Sequence, residues 1–281
     1  VTQAWLRRHG CVWNEEVEAF PDTMDLVWQG RRIQASELPL TAPVTGTVYG
    51  VALNDPESLA RLDRAFNRPP YNRPPEAPVL YIKPANAVIG PGAAIPVPDG
   101  VEWLSAAPAL GAVLGRTAAR VDEREALSYV LGYTVVMDVS IPRQDWYRPA
   151  VAEQARDGFC PIGPWIVERA AVAHPNCLRV EVYVDGKRCL SYSTASAVRT
   201  LPRLLCDVTS FMTLYPGDVL LAGVPADAPL VRAGQRVCAV IEGVGALENP
   251  LVAEPQAEAL YSGPVAQPQA FDLRPDGKWS P

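Results

Sequence analysis

Between Val101 and Gly163 the chain runs through a strand, a charged stretch, a second strand and then a loop dense in Arg, Asp, Gly and Pro, the layout of a site mounted on a sheet. ALGAVLG, closing at Gly115, and TVVMDVS are apolar runs of strand length. Between them Asp122 stands as an N-cap with Glu125 three residues on. Ala126, Leu127 and Val130 give an apolar stripe down to Gly132, so this stretch predicts a helix.

The flanking chain adds mostly strands. MDLVWQGRRIQ predicts a hairpin turning at Gln29-Gly30, and Asp185-Gly186 sits between two alternating runs as a second hairpin signal. TVYGVAL reads as a strand, and VLYIKP as a buried one. PESLARLDRAF, opened by Asp55-Pro56, predicts a short helix. NRPPYNRPPEAP can be neither helix nor central strand, because proline removes donors and bars the preceding residue from the α region. VRTLPRLLCDVTSFMTLYPGD holds one more helix, and DVLLAGVP with QRVCAVIEGVGALENPLV supplies further strands. The expected class is therefore mostly β with α (α+β), with two or three helices to one side. The expected divisions are an extension at 1–44 packing on the main body or on a partner, a principal domain at 45–260, and a proline-rich tail at 261–281.

Composition excludes several functions. A net charge of −6 without a Lys/Arg cluster disfavours a nucleic-acid surface. No run of eighteen apolar residues is present to span a membrane, and a cytoplasmic protein is expected. The six cysteines show neither CxxC spacing nor histidine partners, which argues against zinc and against a disulfide framework. Cys160, in a loop beside proline, can face a pocket but more often such a residue packs. With only His9 and His174, a Ser/His/Asp or Cys/His mechanism has little material.

LGRTAARVDEREALSYVLGYTVVMDVS, RDGFCPIGPW, VYVDGK, FMTLYPGDVLLAGVP and IEGVGALENP, in that order, resemble the signatures of the fumarylacetoacetate hydrolase family from about Thr47 to Val252. VALND, KPANAVIGPG, WYRPA and RDGFCPIG resemble the homoprotocatechuate-pathway isomerase/decarboxylase branch, and in particular its amino-terminal, metal-deficient half. The resemblance implies a mixed β-roll with outer helices, usually dimeric, acting on an enolisable 2-oxo acid. It also implies a Mg²⁺-type ion held by a Glu-x-Glu pair and an Asp, which would polarise the 2-oxo acid and stabilise its enolate. Here the Glu-x-Glu positions are Ala107-Pro108-Ala109 and only Asp138 is kept, so no metal cofactor is expected. Gln154 stands where the family has lysine, Val224 replaces a threonine, and Asn54-Asp-Pro-Glu-Ser58 lacks the usual histidine.

The candidate catalytic residues are thus Asp138, as a base or merely a turn cap, with Arg156 and Lys83 as electrostatic partners. Tyr147, Arg148, Asp157, Gln154 and Val224 are candidates for substrate binding. Arg148 can fork onto a carboxylate or stack on Trp146; Arg156 and Asp157 can orient a carboxylate or simply pair with each other. Lys83 can serve the pocket or snorkel to the surface. Asp99 and Glu102 are weak candidates for replacement ligands. The expected partners are a small carbonyl or carboxylate ligand and either a second copy or a metal-bearing homologue, with a non-catalytic subunit as the alternative to an enzyme.

Overall fold

The computed structural model describes residues 1–69, 71–142 and 150–254, together with the backbone of a short antiparallel pair, Asp272–Leu273 with Trp279–Ser280, inside the proline-rich tail. The first part of the chain forms β1 (Thr2–Arg8), β2 (Glu15–Phe20), β3 (Asp25–Trp28), β4 (Arg31–Gln34), β5 (Leu40–Thr41) and β6 (Val48–Ala52). Helix α1 (Pro56–Phe66) follows, then β7 (Val79–Lys83), β8 (Val88–Ile89), β9 (Ile95–Val97) and the two long strands β10 (Leu104–Leu114) and β11 (Val130–Ser140). The remainder is α2 (Val151–Gln154), β12 (Cys160–Glu168), β13 (Arg179–Val184), β14 (Lys187–Ser193), α3 (Leu201–Thr209), β15 (Val219–Leu221), β16 (Leu230–Val231), β17 (Arg236–Ile241) and β18 (Gly245–Ala253).

Strands β4-β3-β2-β1-β12-β11-β10-β15-β6-β7 follow one another in a large sheet, and β14-β13-β17-β18-β9 form a second. Both are mixed, since β15 runs parallel to β6 and β18 parallel to β9. The fold is mostly β with few helices, as the sequence predicts. The amino-terminal strands join the large sheet directly: Ala4, Trp5 and Leu6 of β1 lie opposite Val167, Ile166 and Trp165 of β12.

Central strands β10 and β11 are buried on both faces, which is why AAPALGAVL and TVVMDV read as continuous apolar runs rather than alternating ones. On one face Leu110, Ala112, Val135, Met137 and Trp165 pack against Val180, Val182, Val237 and Leu247 of the second sheet. On the other, Ala109, Val113, Val136, Cys160, Ile162 and Val219 form a smaller core, and at the far end of that strip lies the candidate site.

Local signals hold where they are self-contained. Asp55 caps α1 by accepting from Ser58 N at 2.9 Å, with Pro56 in the first turn. Gln29 (φ 50°) and Gly30 (φ 75°), and Asp185 (φ 51°) and Gly186 (φ 77°), supply the consecutive left-handed residues that tight hairpins need.

Two expectations are corrected. The helix predicted after Val121 is a turn followed by a single 3-10 turn, Ala126–Tyr129, and from Val130 the chain is already strand. Asp122 Oδ1 accepts from Arg124 N two residues on instead of capping a helix. β11 pairs with β10 along its length and with β12 from Gly132 to Val136, and that long-range pairing outweighs the short apolar stripe. VLYIKP is not a buried strand: β7 ends the sheet order, with Val79 and Ile82 exposed, and only Lys83 fully buried.

Candidate functional site

Asp138 lies on β11 with Ala107 of β10 directly opposite it, and Ala109 faces Val136 two pairs further along. Ala107 and Ala109 therefore line the same face of the sheet as Asp138. The cation beside the aspartate comes from elsewhere. Lys83, at the inner end of β7, is 1% exposed, and its Nζ forms an ion pair at 2.5 Å with Asp138 Oδ1, an oxygen that accepts no hydrogen bond. The same ammonium donates to Val139 O at 2.6 Å and Gln154 O at 2.9 Å. Lys83 thus ties β7, β11 and the end of α2 together. Asp138 Oδ2 accepts from the Tyr81 hydroxyl.

Tyr81 reaches Asp138 because of what faces it across the strand pair. Gly50 of β6 is its register partner, and a Cβ on Gly50 would fall inside the Tyr81 ring. The glycine is thus the bed on which the ring lies. Burial and the Asp138 charge together push the Tyr81 phenol well above its ordinary pKa, so it remains a protonated donor at neutral pH.

Asp138 and Tyr81 line a cleft of about 330 Å³ whose other polar side chains are Ser58, Arg61, Ser105, Ser140 and Gln154. Ser105 and Ser140 are cross-strand partners beside the Ala107–Asp138 pair. At the mouth Arg61 on α1 pairs with Glu57 at 2.6 Å and with Asp227 at 2.5 Å. Val224 lines the cleft beyond Gly223 (φ 110°). That turn is held by buried Asn54, whose Nδ2 donates to Arg199 O and Ala222 O and whose Oδ1 accepts from Arg199 N at 2.8 Å. A broader groove of about 1110 Å³ adjoins the cleft and shares Ala52, Leu53, Tyr81 and Gln154 with it.

Of the residues singled out in the sequence, Asp138, Lys83 and Gln154 come together, and Val224 lines the same cleft. Lys83 neither snorkels nor faces the cleft; it is fully enclosed. Arg156 and Asp157 do not pair with each other and do not line the cleft. Arg156 reaches Glu254 at 3.6 Å, and Asp157 accepts from Asn86 Nδ2 at 2.6 Å. Tyr147 and Arg148 lie outside the described residues. Asp99 accepts from Gly100 N at an exposed turn, and Glu102 is exposed on the lead into β10. Tyr81, Ser105, Ser140 and Arg61 are not among the residues singled out in the sequence, and Asn54 enters there only as the start of a stretch without histidine. The available signal was Gly50 in the middle of a strand, which marks close approach of a neighbour.

Among the described residues no group of three or more His, Cys, Asp or Glu side chains converges to hold a metal ion. Cys160 packs in the smaller core, and burial pushes its thiol up to about 12. With a thiol reagent at pH 8, exposed Cys177 and Cys189 are expected to react quickly and Cys160 only after denaturation. Mass-spectrometric mapping checks this; modification of Cys160 in the native protein would place it on an accessible surface instead.

A model of the family described as fumarylacetoacetate (FAA) hydrolase C-terminal matches residues 47–252. The chain belongs to the fumarylacetoacetate hydrolase family. It is 39% identical over 220 residues to the Escherichia coli 4-hydroxyphenylacetate degradation bifunctional isomerase/decarboxylase, an alignment covering 78% of this chain and 50% of that protein. The chain thus spans about half the length of the curated relatives it matches. Two solved family structures share its fold. The 5-carboxymethyl-2-hydroxymuconate delta-isomerase of Mycobacterium smegmatis has a TM-score of 0.74 and 28% identity, covering 91% of this chain and 100% of that one. The 2-hydroxyhepta-2,4-diene-1,7-dioate isomerase of Mycobacterium marinum has a TM-score of 0.73 and 25% identity over the same shares.

Proposed function

We propose that this chain is an isomerase/decarboxylase-type member of the fumarylacetoacetate hydrolase family that works on a small enolisable acid without the family's divalent ion. The observation that carries the reading is the engagement of both Asp138 oxygens, one by the Lys83 ammonium and the other by the Tyr81 hydroxyl, with a methyl group opposite at Ala107. A Mg²⁺-type ion needs several oxygen ligands with enough negative charge. One carboxylate already neutralised by an internal lysine does not fit that demand. No chemical step is therefore routed through a metal.

The chain's own residues divide the work. Asp138 is the acceptor of a substrate proton, and Lys83 holds its charge in place from behind as a positioning residue. Arg156, paired with Glu254 away from the cleft, has no part in it. The names of the two mycobacterial relatives point to unsaturated 2-hydroxy di- and tricarboxylates as a substrate class, and a cleft of about 330 Å³ is large enough for one.

The test is turnover of 5-carboxymethyl-2-hydroxymuconate by purified protein, followed by ultraviolet absorbance in EDTA and in added Mg²⁺ or Mn²⁺. Equal rates in both are expected, with Asp138→Asn slower by about 10²–10⁴-fold. Turnover only with metal, or none in either condition, would sink the reading.

A second reading is favoured by the half-length match: a non-catalytic unit that pairs with a metal-bearing homologue, in place of a homodimer. Co-expression followed by size-exclusion chromatography decides between them. A 1:1 complex whose activity resides wholly in the homologue supports the partner role, and separate elution removes it.

A further inference from the structure

We propose that Ser105 and Ser140 are catalytic residues of the cleft, a pair of hydroxyl donors that receives the oxyanion of an enolate as Asp138 takes a proton from the neighbouring carbon. The assignment rests on the proposed function, with the same cleft as the ligand site and Asp138 as the proton acceptor.

Enolisation moves charge between atoms without any oxidant. The proton passes to Asp138, the C–H electron pair becomes the new C=C bond, and the carbonyl π pair moves onto oxygen. That oxygen needs donors already in place when its charge develops.

Strand register sets two hydroxyls where it falls. Ser105 of β10 and Ser140 of β11 are direct partners two residues along from the Ala107–Asp138 pair, so all four side chains stand on one face. Both serines line the cleft together with Asp138. Facing side chains of a strand pair start about 5 Å apart, close enough for two hydroxyls to converge on one oxygen. Two residues of strand set the pair about 7 Å from Asp138, the span filled by a ligand whose carbon rests against the carboxylate and whose oxygen rests against the hydroxyls. Neither hydroxyl is engaged by another described residue. Their neighbours Ala107 and Leu230 also line the cleft and, being apolar, do not compete for them.

The other polar groups are placed less well for this role. Lys83 is enclosed and paired with Asp138, and the Tyr81 hydroxyl already donates to Asp138 Oδ2. The Gln154 amide and the remaining Arg61 nitrogens are open donors, but they stand on long side chains from α2 and α1. The serine oxygens are one rotatable bond from the two paired strands, of which β11 carries Asp138 as well. Short side chains on such strands are aimed before the charge forms, which is what makes oxyanion donors effective.

The test is exchange of the hydrogens beside the carbonyl of 2-oxoadipate in heavy water, followed by proton NMR in EDTA, which reads enolisation itself. The wild-type protein is expected to catalyse exchange. Ser105→Ala and Ser140→Ala should each lower kcat by about 10²-fold with little change in KM, and Ser140→Thr, which keeps a hydroxyl, should retain most of the rate. Circular-dichroism melts check that the variants remain folded. Alanine variants that exchange at the wild-type rate, a larger loss in Gln154→Ala than in either serine variant, or no exchange by the wild type overturns the proposal. Serine-dependent exchange without turnover of the muconate would defeat the isomerase/decarboxylase reading and leave the serine assignment standing. Unchanged turnover of the muconate in the double variant Ser105→Ala/Ser140→Ala would do the opposite.

Discussion

Replacing Lys83 by methionine is expected to cost about 3–5 kcal/mol of folding stability, because it leaves the Asp138 carboxylate buried with no opposite charge. The lost ammonium also strips donors from Val139 O and Gln154 O, loosening α2 from β11. Asp138→Asn should be destabilising in the same way, since it strands the lysine. The double variant Lys83→Met/Asp138→Asn removes both charges and keeps the donor from Tyr81 to residue 138. It is expected to recover most of the loss, a coupling well above the about 0.5 kcal/mol seen for independent sites. Urea unfolding of the four proteins closes the cycle. Simple additivity would mean that the pair is not an electrostatic unit, and would remove the ground for the proposal that no divalent ion sits beside Asp138.

Trp165→Ala is expected to be comparably severe, at about 3–5 kcal/mol. Trp165 is fully buried on β12 and packs with the residues between the two sheets, while its Nε1 donates to Val244 O at 2.8 Å in the turn joining β17 to β18. One side chain thus fills the space between the sheets and fixes the second to the first. Trp165→Phe separates the two contributions. It keeps much of the apolar volume but leaves the Val244 carbonyl without its donor, which costs about 1–3 kcal/mol. Equilibrium unfolding of both variants checks the order, and an alanine variant within about 1 kcal/mol of wild type would show that the sheets are held together elsewhere.

How much of this was readable beforehand depends on how local the cause is. Helix α1 follows from Asp55, Pro56 and a few helical-period apolar residues, all within one short segment. The turns at Gln29-Gly30 and Asp185-Gly186 are fixed by residues that tolerate positive φ. The same local logic failed after Val121, where a capping pattern was present but the chain gained more by pairing β11 with β10 along its length and with β12 from Gly132 to Val136. In the site, the alanines at 107 and 109 are visible directly in the sequence. Nothing near Lys83 in the chain announces that its ammonium ends at Asp138, and nothing near Arg156 announces that it turns to Glu254 instead.

By itself the sequence determined the family and the largely β architecture, because each is written in residue type, order and spacing. Only the tertiary structure decided what answers the remaining charge. The partners Lys83 and Tyr81 come from an edge strand remote in the chain, and the tyrosine reaches Asp138 only because Gly50 across from it has no side chain. Such contacts are set by strand register and packing, which no single stretch of residues contains.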